Sequence, residues 1–308
     1  MSSTPSDPAI SVVVCTRNRG GQLEGMLRSF CSQDFAVGWE MVVVDNGSSD
    51  NTGEVLTRFA LECPFTLRVV LEPTPGLSRA RNRGLAAARG EFVAFTDDDC
   101  YPRDDYLSAI VALFCDPKVV YGGGRLLLYD PTDQRVTIQE RDRAEVLEPG
   151  SFIPSGLIHG ANLVCRRQAL LDLDGFDERL GAGTTYKSGE DTDILRRLAL
   201  AGHRGRYDPD IVVYHHHGRK TVEAARRLEQ GYSWGIGSCM LKYALNPQSR
   251  SIYARIWYWR LRRIPFADAV REIVAALRFF LEYGPTWRSV WRHPHEGLAS
   301  PVEAREPA

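Results

Sequence analysis

Long apolar runs are missing from this chain. No stretch approaches the ~18 uninterrupted apolar residues that a membrane-spanning helix requires, so no segment is expected to cross a bilayer. Lysine is scarce as well: Lys118, Lys187, Lys220 and Lys242 are the only ones, and the other cationic side chains are arginines. Net charge of either sign is absent, with 38 Lys+Arg against 39 Asp+Glu in 308 residues. A chain without a net field is not built for bulk nucleic-acid binding. The seven cysteines are scattered, odd in number and free of any C-x-x-C pair. That excludes a regular disulfide framework and points to small buried hydrophobes in a reducing compartment. The opening MSSTPSDPAI has no basic region followed by an apolar run. No secretion signal is read there, and a cytoplasmic location is expected.

What is present is ordinary globular material, 44% hydrophobic and 25% charged, enough for one large α/β domain or one domain with an appendage. Short apolar runs, ISVVVC at 10–15, WEMVVV at 39–44, TLRVVL at 66–71 and FVAF at 92–95, read as buried strands. Between them, Leu23, Met26, Leu27 and Phe30 fall at helical spacing, as do the strong helix formers of 77–88. Strand and helix in this alternation predict a parallel, doubly wound sheet. Such sheets hold ligands outside the carboxyl ends of their strands. That edge should receive Thr16–Asn18, Asp45 and the triplet Asp97, Asp98 and Asp99. Three adjacent acids repel one another, and a hard divalent cation with oxygen ligands relieves that repulsion. The acids therefore read as a metal and phosphate-sugar site, against the alternative of a solvated acidic turn.

Further along, PGLSRARNRGLAAARG places Arg79, Arg81 and Arg83 in the first turn of a helix, where cations oppose the helix dipole. A diphosphate at that terminus accounts for the placement, above all for Arg81. After a helix over 101–114, VVYGGGRLLLY reads as a glycine-interrupted strand pair, and 130–150 as a polar excursion. IHGANLVC returns to a strand in which Gly160, Ala161 and Asn162 form the wall of a substrate cleft. SGEDTDILRRLALAG opens a helix with Ser188 and Asp191 at capping-box spacing. Glu190, Asp191 and Asp193 exceed what a cap needs, so one of them is expected to face the cleft as a base. Of the run His215, His216 and His217, one is expected to join the metal, with His217 ahead of His215. In the C-terminal part, Tyr253, Trp257, Tyr258 and Trp259 interleave with arginines, and no acid falls between Arg250 and Arg263. Such a surface suits anionic lipid headgroups, and the same rings also suit plain packing on the catalytic domain. Single-stranded nucleic acid would accept it too, although nothing else in the chain supports that.

Taken in order, VVVCTRNR, VVVDNGSSDNT, PGLSRARNRGLAAARGEFVAFTDDDC, HGANLVCRR, GFDERLGAG, GEDTD and VVYHHHGRK resemble the inverting family 2 glycosyltransferases of GT-A fold, over roughly residues 10–243. The resemblance implies a Rossmann-like, mostly parallel mixed sheet flanked by helices, with a helical C-terminal extension. It divides the chain into a catalytic domain at 8–245, with a nucleotide-binding half at 8–100 and an acceptor half at 101–245, and an extension at 246–308. Carried over by position, Thr16, Arg17, Asn18 and Asp45 would line the base and ribose pocket. Arg81 would lie near the base or diphosphate, and Asp97 and Asp98 beside the ribose and sugar. Asp99 would bind Mg or Mn through the diphosphate and Asp191 would be the general base; the residues themselves add His217 as the metal's histidine and Glu190 on the acceptor or lid side. Arg17 stands where the family often has an aromatic, and Cys100 where an acid often follows.

The expected reaction is inverting transfer of one hexosyl or deoxyhexosyl unit from a UDP, GDP or dTDP sugar to a glycan, lipid-linked or small-molecule acceptor. Its setting would be cell-wall or other glycan biosynthesis, in the cytoplasm or peripherally on the inner face of the plasma membrane, with membrane contact through 250–292. The absence of spanning helices and of a Q-x-x-R-W element argues against a processive synthase. A sugar-1-phosphate nucleotidyltransferase shares the sheet and metal acids, but no lysine precedes Lys118. A non-catalytic sugar-nucleotide binding module would not need both Asp99 and Asp191. A histidine-dependent hydrolase lacks the spaced ligands of a zinc site.

Overall fold

The structure is a computed structural model that describes residues 8–35 and 38–284. Residues 285–292, the end of the stretch assigned to membrane contact, lie outside the described residues. The first half runs β1 (Ile10–Thr16), α1 (Leu23–Ser29), β2 (Trp39–Asp45), α2 (Thr52–Glu62), β3 (Thr66–Leu71), α3 (Leu77–Ala87) and β4 (Phe92–Asp97). Then come β5 (Cys100–Pro102), α4 (Tyr106–Phe114), β6 (Val119–Leu128), β7 (Glu145–Leu147), β8 (Leu163–Arg166) and α5 (Arg167–Leu171). The chain closes with α6 (Glu190–Leu200), β9 (Arg204–His215), α7 (Val222–Ala244), α8 (Arg250–Leu261) and α9 (Phe266–Tyr283).

One sheet carries the strands in the order β3-β2-β1-β4-β8-β6-β9-β5, with β7 paired to β9. The expected parallel, doubly wound pattern holds across β3, β2, β1 and β4. Beyond β4 the sheet is mixed, because β8 inserts antiparallel between β4 and β6, and β5 and β7 pair antiparallel to β9. Side-chain alternation builds a core on each face. Val12, Val14, Met41 and Val43 pack with α1, α2 and α4, while Val13, Val42, Val44 and Phe95 pack with α3 and α6. Each such fully buried side chain contributes about 1.5–3 kcal/mol of apolar burial. The run at 66–71 is an edge strand rather than a buried one, with Leu71 60% exposed.

The glycines of 122–124 do not break the chain: β6 is one strand with register shifts. They are small because neighbours crowd them. A Cβ on Gly124 would meet the carbonyl oxygen of Ile211 at 2.2 Å. C-terminal to the sheet, α7 packs along α9 and against α8. Glu272, fully buried on α9, accepts hydrogen bonds from Trp257 Nε1 at 3.2 Å and Arg260 Nη2 at 2.8 Å, fastening α8 to α9. No helix among the described residues is long and apolar enough to cross a membrane.

Candidate active site

The sheet delivers the acids as the strand pattern requires. β1 and β4 run parallel with Cys15 opposite Asp97, so Thr16 reaches the triplet, and its hydroxyl donates to Asp98 Oδ2 at 2.7 Å. Burial pushes the Asp98 carboxyl up to about 6, against the opposing pull of Thr16 and Arg19. Antiparallel pairing of β5 with β9 sets Cys100 opposite His215. His215 Nε2 consequently lies 3.3 Å from Asp99 Oδ1. Ligand atoms of Asp97, Asp99, Cys100 and His215 all fall within 4.8 Å of one another. Burial drives the Cys100 thiol well above its ordinary value, so it stays protonated. The usable set is two carboxylates and an imidazole, which suits Mg or Mn. His215 Nδ1 faces Thr137 Oγ1 at 3.3 Å, which orients the other ring nitrogen toward the acids.

This geometry corrects the ranking of the histidines. His217 Nδ1 accepts from the Arg219 N–H at 3.0 Å, and its Nε2 meets the Gln134 carbonyl at 3.0 Å. Both nitrogens are occupied, and the side chain is fully buried beside Asp133, its ring 5.2 Å from that of His215. His217 is therefore a brace, and His215 is the histidine at the site. His216 lies against the Tyr129 ring at 4.9 Å between centroids.

The facing wall is the start of α6. Gly189, with φ 93°, holds the N-cap position and no side chain caps it, so the expected box between Ser188 and Asp191 does not form. Asp191 instead turns inward. Its Oδ2 accepts the Gly160 N–H at 3.0 Å, and its Oδ1 accepts the Thr192 N–H at 2.6 Å. Glu190 receives Arg81 Nη1 at 2.8 Å, and Arg81 Nη2 also reaches Asp97 Oδ1 at 3.3 Å. Burial and the charge of Asp191 push the Glu190 carboxyl up to about 7, while Arg81 acts in the opposite direction. A Cβ on Gly160 would meet Arg81 Nη2 at 2.6 Å, so any side chain there would have to displace the guanidinium.

Both walls line one cavity of about 510 Å³. Arg81, Asp97, Asp98, Asp99, Gly160, Ala161, Glu190, Asp191 and His215 all border it. Of the remaining predicted residues, Thr16 touches the site through Asp98, and the others do not line the cavity. Asp45 accepts the Ser48 N–H at 2.9 Å and borders a separate, shallow depression. Asn18, at φ 55°, donates its N–H to Ser48 Oγ and accepts from the Ser49 N–H at 2.7 Å, while Arg17 is exposed. Asn162 is a correction: its amide donates to the carbonyls of Arg125 and Ile211 at 2.9 and 3.0 Å, tying β6 to β9 beneath the cleft. Arg79 pairs with Glu178 on the surface, and Arg83 is exposed.

Sequence reasoning missed several lining residues. Arg19 stands 3.5 Å from Asp98 and 3.8 Å from Asp99. It lies in the same polar turn as Thr16, so that signal was there to use. His159, Arg219 and Tyr232 also border the cavity. They arrive from segments whose approach only the tertiary fold defines.

The sequence profile described as Glycosyl transferase family 2 matches residues 11–173. Pre-mycofactocin glycosyltransferase of Mycobacterium tuberculosis (strain ATCC 25618 / H37Rv) is 34% identical over 228 residues, covering 70% of this chain and 44% of that protein. This chain thus spans less than half the length of that mycobacterial relative. Glycosyltransferase AglE of Haloferax volcanii is 24% identical over 213 residues, 69% of this chain and 68% of that protein. Among solved structures, mannosyltransferase PcManGT from Pyrobaculum calidifontis, in complex with GDP-Man and Mn2+, superposes with a TM-score of 0.63 at 22% identity, covering 92% of this chain and 76% of that one. S. aureus TarS 1–349 in complex with UDP-GlcNAc gives 0.57 at 20% identity, covering 91% and 79%. At these identities the likeness is one of fold, and that fold is GT-A.

Proposed function

The chain belongs to glycosyl transferase family 2, and from that premise we propose that it moves one sugar from a nucleotide-sugar donor to an acceptor hydroxyl with inversion. One observation carries the reading: Asp191 and the group formed by Asp97, Asp99 and His215 border the same cavity from opposite walls. Mg or Mn, held by Asp97, Asp99 and His215, would act as a Lewis acid on the departing diphosphate. Arg19, on Asp98 and Asp99, adds positive charge to that side. Thr16 fixes Asp98, and Arg81 fixes Asp97 and Glu190, so the donor side is set before substrate arrives. Asp191, steadied by the N–H groups of Gly160 and Thr192, takes the proton of the attacking hydroxyl. A single displacement with one base opposite the leaving group inverts the anomeric centre.

The nucleotide is a UDP, GDP or dTDP sugar; the fold neighbours were solved with GDP-Man and with UDP-GlcNAc. Thr16, Arg17, Asn18 and Asp45 are assigned to the base and ribose end. Incubation of the chain with each labelled nucleotide sugar and Mn2+, with and without EDTA, tests the reading. Metal-dependent release of nucleotide from one of them is expected, and no release from any would end it.

Contact with an anionic membrane surface through α8 and α9 belongs to the same proposal. Phe266, Val270, Val274, Leu277 and Leu281 recur at helical spacing on α9 and are all exposed, Phe266 by 85% and Leu281 by 79%. On α8, Tyr258 and Trp259 are exposed beside arginines. Apolar and aromatic side chains beside acid-free cationic sequence suit a headgroup layer.

A further inference from the structure

The cavity has two chemically different sides. Its charged residues stand on the sheet and at the start of α6, whereas α7 closes it with Leu228, Tyr232, Ile236 and Cys239. These are four, four and three residues apart and so form one stripe of helix. The opposite side of α7 is occupied, since α9 packs along it and Ser238 Oγ reaches the Ala275 carbonyl. On the cavity side Leu228 and Tyr232 are the open part of the stripe, since Ile236 also packs on the cluster of Met240, Tyr243 and Tyr253 and Cys239 is buried with Leu180, Tyr186 and Phe279. Leu228 and Ile236 there are only half-buried. Tyr232 supplies the one hydroxyl of the stripe, and its ring lies in the field of Asp191 and Glu190, whose charges add to burial in raising its phenol.

Resting on the transfer reaction above, we infer that the acceptor lays an apolar body, alkyl or aryl, along Leu228, Tyr232 and Ile236 while presenting its hydroxyl to Asp191. A strongly hydrated oligosaccharide would have to give up water to Leu228 and Ile236 without recovering its hydrogen bonds, which is unfavourable. An amphiphile gains instead, because its apolar part leaves water on the stripe. Tyr232, between the apolar stripe and the carboxylates, marks the level at which the acceptor changes from apolar body to reacting hydroxyl.

The test compares n-octyl β-D-glucoside with methyl β-D-glucoside, which share every sugar hydroxyl and differ in the alkyl group. Both are titrated, below the micelle concentration, into the full chain with UDP and Mn2+ and read by saturation-transfer NMR. The octyl compound is expected to bind about tenfold or more tightly, the scale of one apolar side chain's burial. Leu228→Asn should remove most of that advantage. Tyr232→Phe, which keeps the ring, should retain it, and thermal unfolding checks that both variants are folded. Equal affinities for the two glucosides would overturn the inference. So would an octyl advantage that survives Leu228→Asn, or one that disappears with Leu277→Glu on the outer face of α9. Failure of UDP, GDP and dTDP alike to bind with Mn2+ is a separate result: it would remove the transferase reading itself and this inference with it.

Discussion

Arg81 and Glu190, 109 positions apart in the chain, meet at 2.8 Å in the floor of the cleft. The guanidinium is 3% exposed and also holds Asp97, so one side chain joins the donor wall to the wall that carries Asp191. Arg81→Ala would leave Glu190 buried without its partner. Loss of one member of a buried pair costs about 3–5 kcal/mol, and thermal denaturation should show a drop of that order. Glu190→Gln keeps an oxygen for the guanidinium to donate to and should cost distinctly less.

Asp191→Asn separates chemistry from architecture. The amide oxygen can still accept the Gly160 N–H but cannot take a proton from an acceptor hydroxyl. Turnover should fall about 10²–10⁴-fold, the usual contribution of a positioned general base, with nucleotide affinity by calorimetry unchanged. Near-normal turnover in this variant would remove Asp191 from the role.

How far the sequence carried is clearest at individual residues. The runs at 10–15, 39–44 and 92–95 became β1, β2 and β4 because a buried parallel strand advertises itself by composition alone. The acids followed, since their place at the end of β4 is local. His215 and His217 were harder: two residues apart on extended chain they share a face. Only the pairing of β5 with β9, a contact over more than a hundred positions, selects His215. Asn162 sits beside two cleft residues, yet the carbonyls of Arg125 and Ile211 turn its amide downward. Ser188 has the spacing of a cap, but its hydroxyl goes to the Tyr232 carbonyl. The apolar stripe of α7 was invisible because apolar residues that line a cavity look, in sequence, like part of one broad buried face.

The histidines give a direct comparison. His215→Gln should weaken Mn2+ binding about 10–100-fold, the range associated with losing a ligand's proper setting, as read by Mn2+ titration of nucleotide binding. His217→Gln should leave that titration in place and lower stability instead, because its ring bridges the Gln134 carbonyl and the Arg219 N–H. A reversed outcome would restore the order read from sequence.

Lys242 on α7 reaches Asp193 Oδ1 at 2.6 Å and Asp177 Oδ2 at 2.9 Å, all three essentially buried. Burial alone would raise both carboxyls, but Lys242, with Arg197 at Asp193 and Arg179 at Asp177, brings each below its ordinary value. A carboxylate held low in the folded state contributes stability above its unfolded pKa of about 4, and that contribution is lost as pH falls toward the folded value. Lys242→Met should therefore destabilise most near pH 7, by about 3–5 kcal/mol. The gap to the parent should narrow below about pH 4. Urea denaturation at pH 7 and pH 3.5 checks the sign.

The outer face of α9 sets the last expectation. Deleting the whole extension would be a poor test, because α9 covers α7 and its buried Glu272 holds Trp257 and Arg260. Point changes on the exposed stripe avoid this. Leu277 and Leu281 are 55% and 79% exposed, so Leu277→Glu with Leu281→Glu should leave unfolding nearly unchanged, as surface substitutions do, within about 0.5 kcal/mol. If the stripe meets lipid, the parent chain sediments with phosphatidylglycerol vesicles, less so as salt screens the arginines, and the double variant stays in solution. A parent chain that never sediments, at low salt as at high, would take the membrane out of the account while leaving the chemistry of the cleft as it stands.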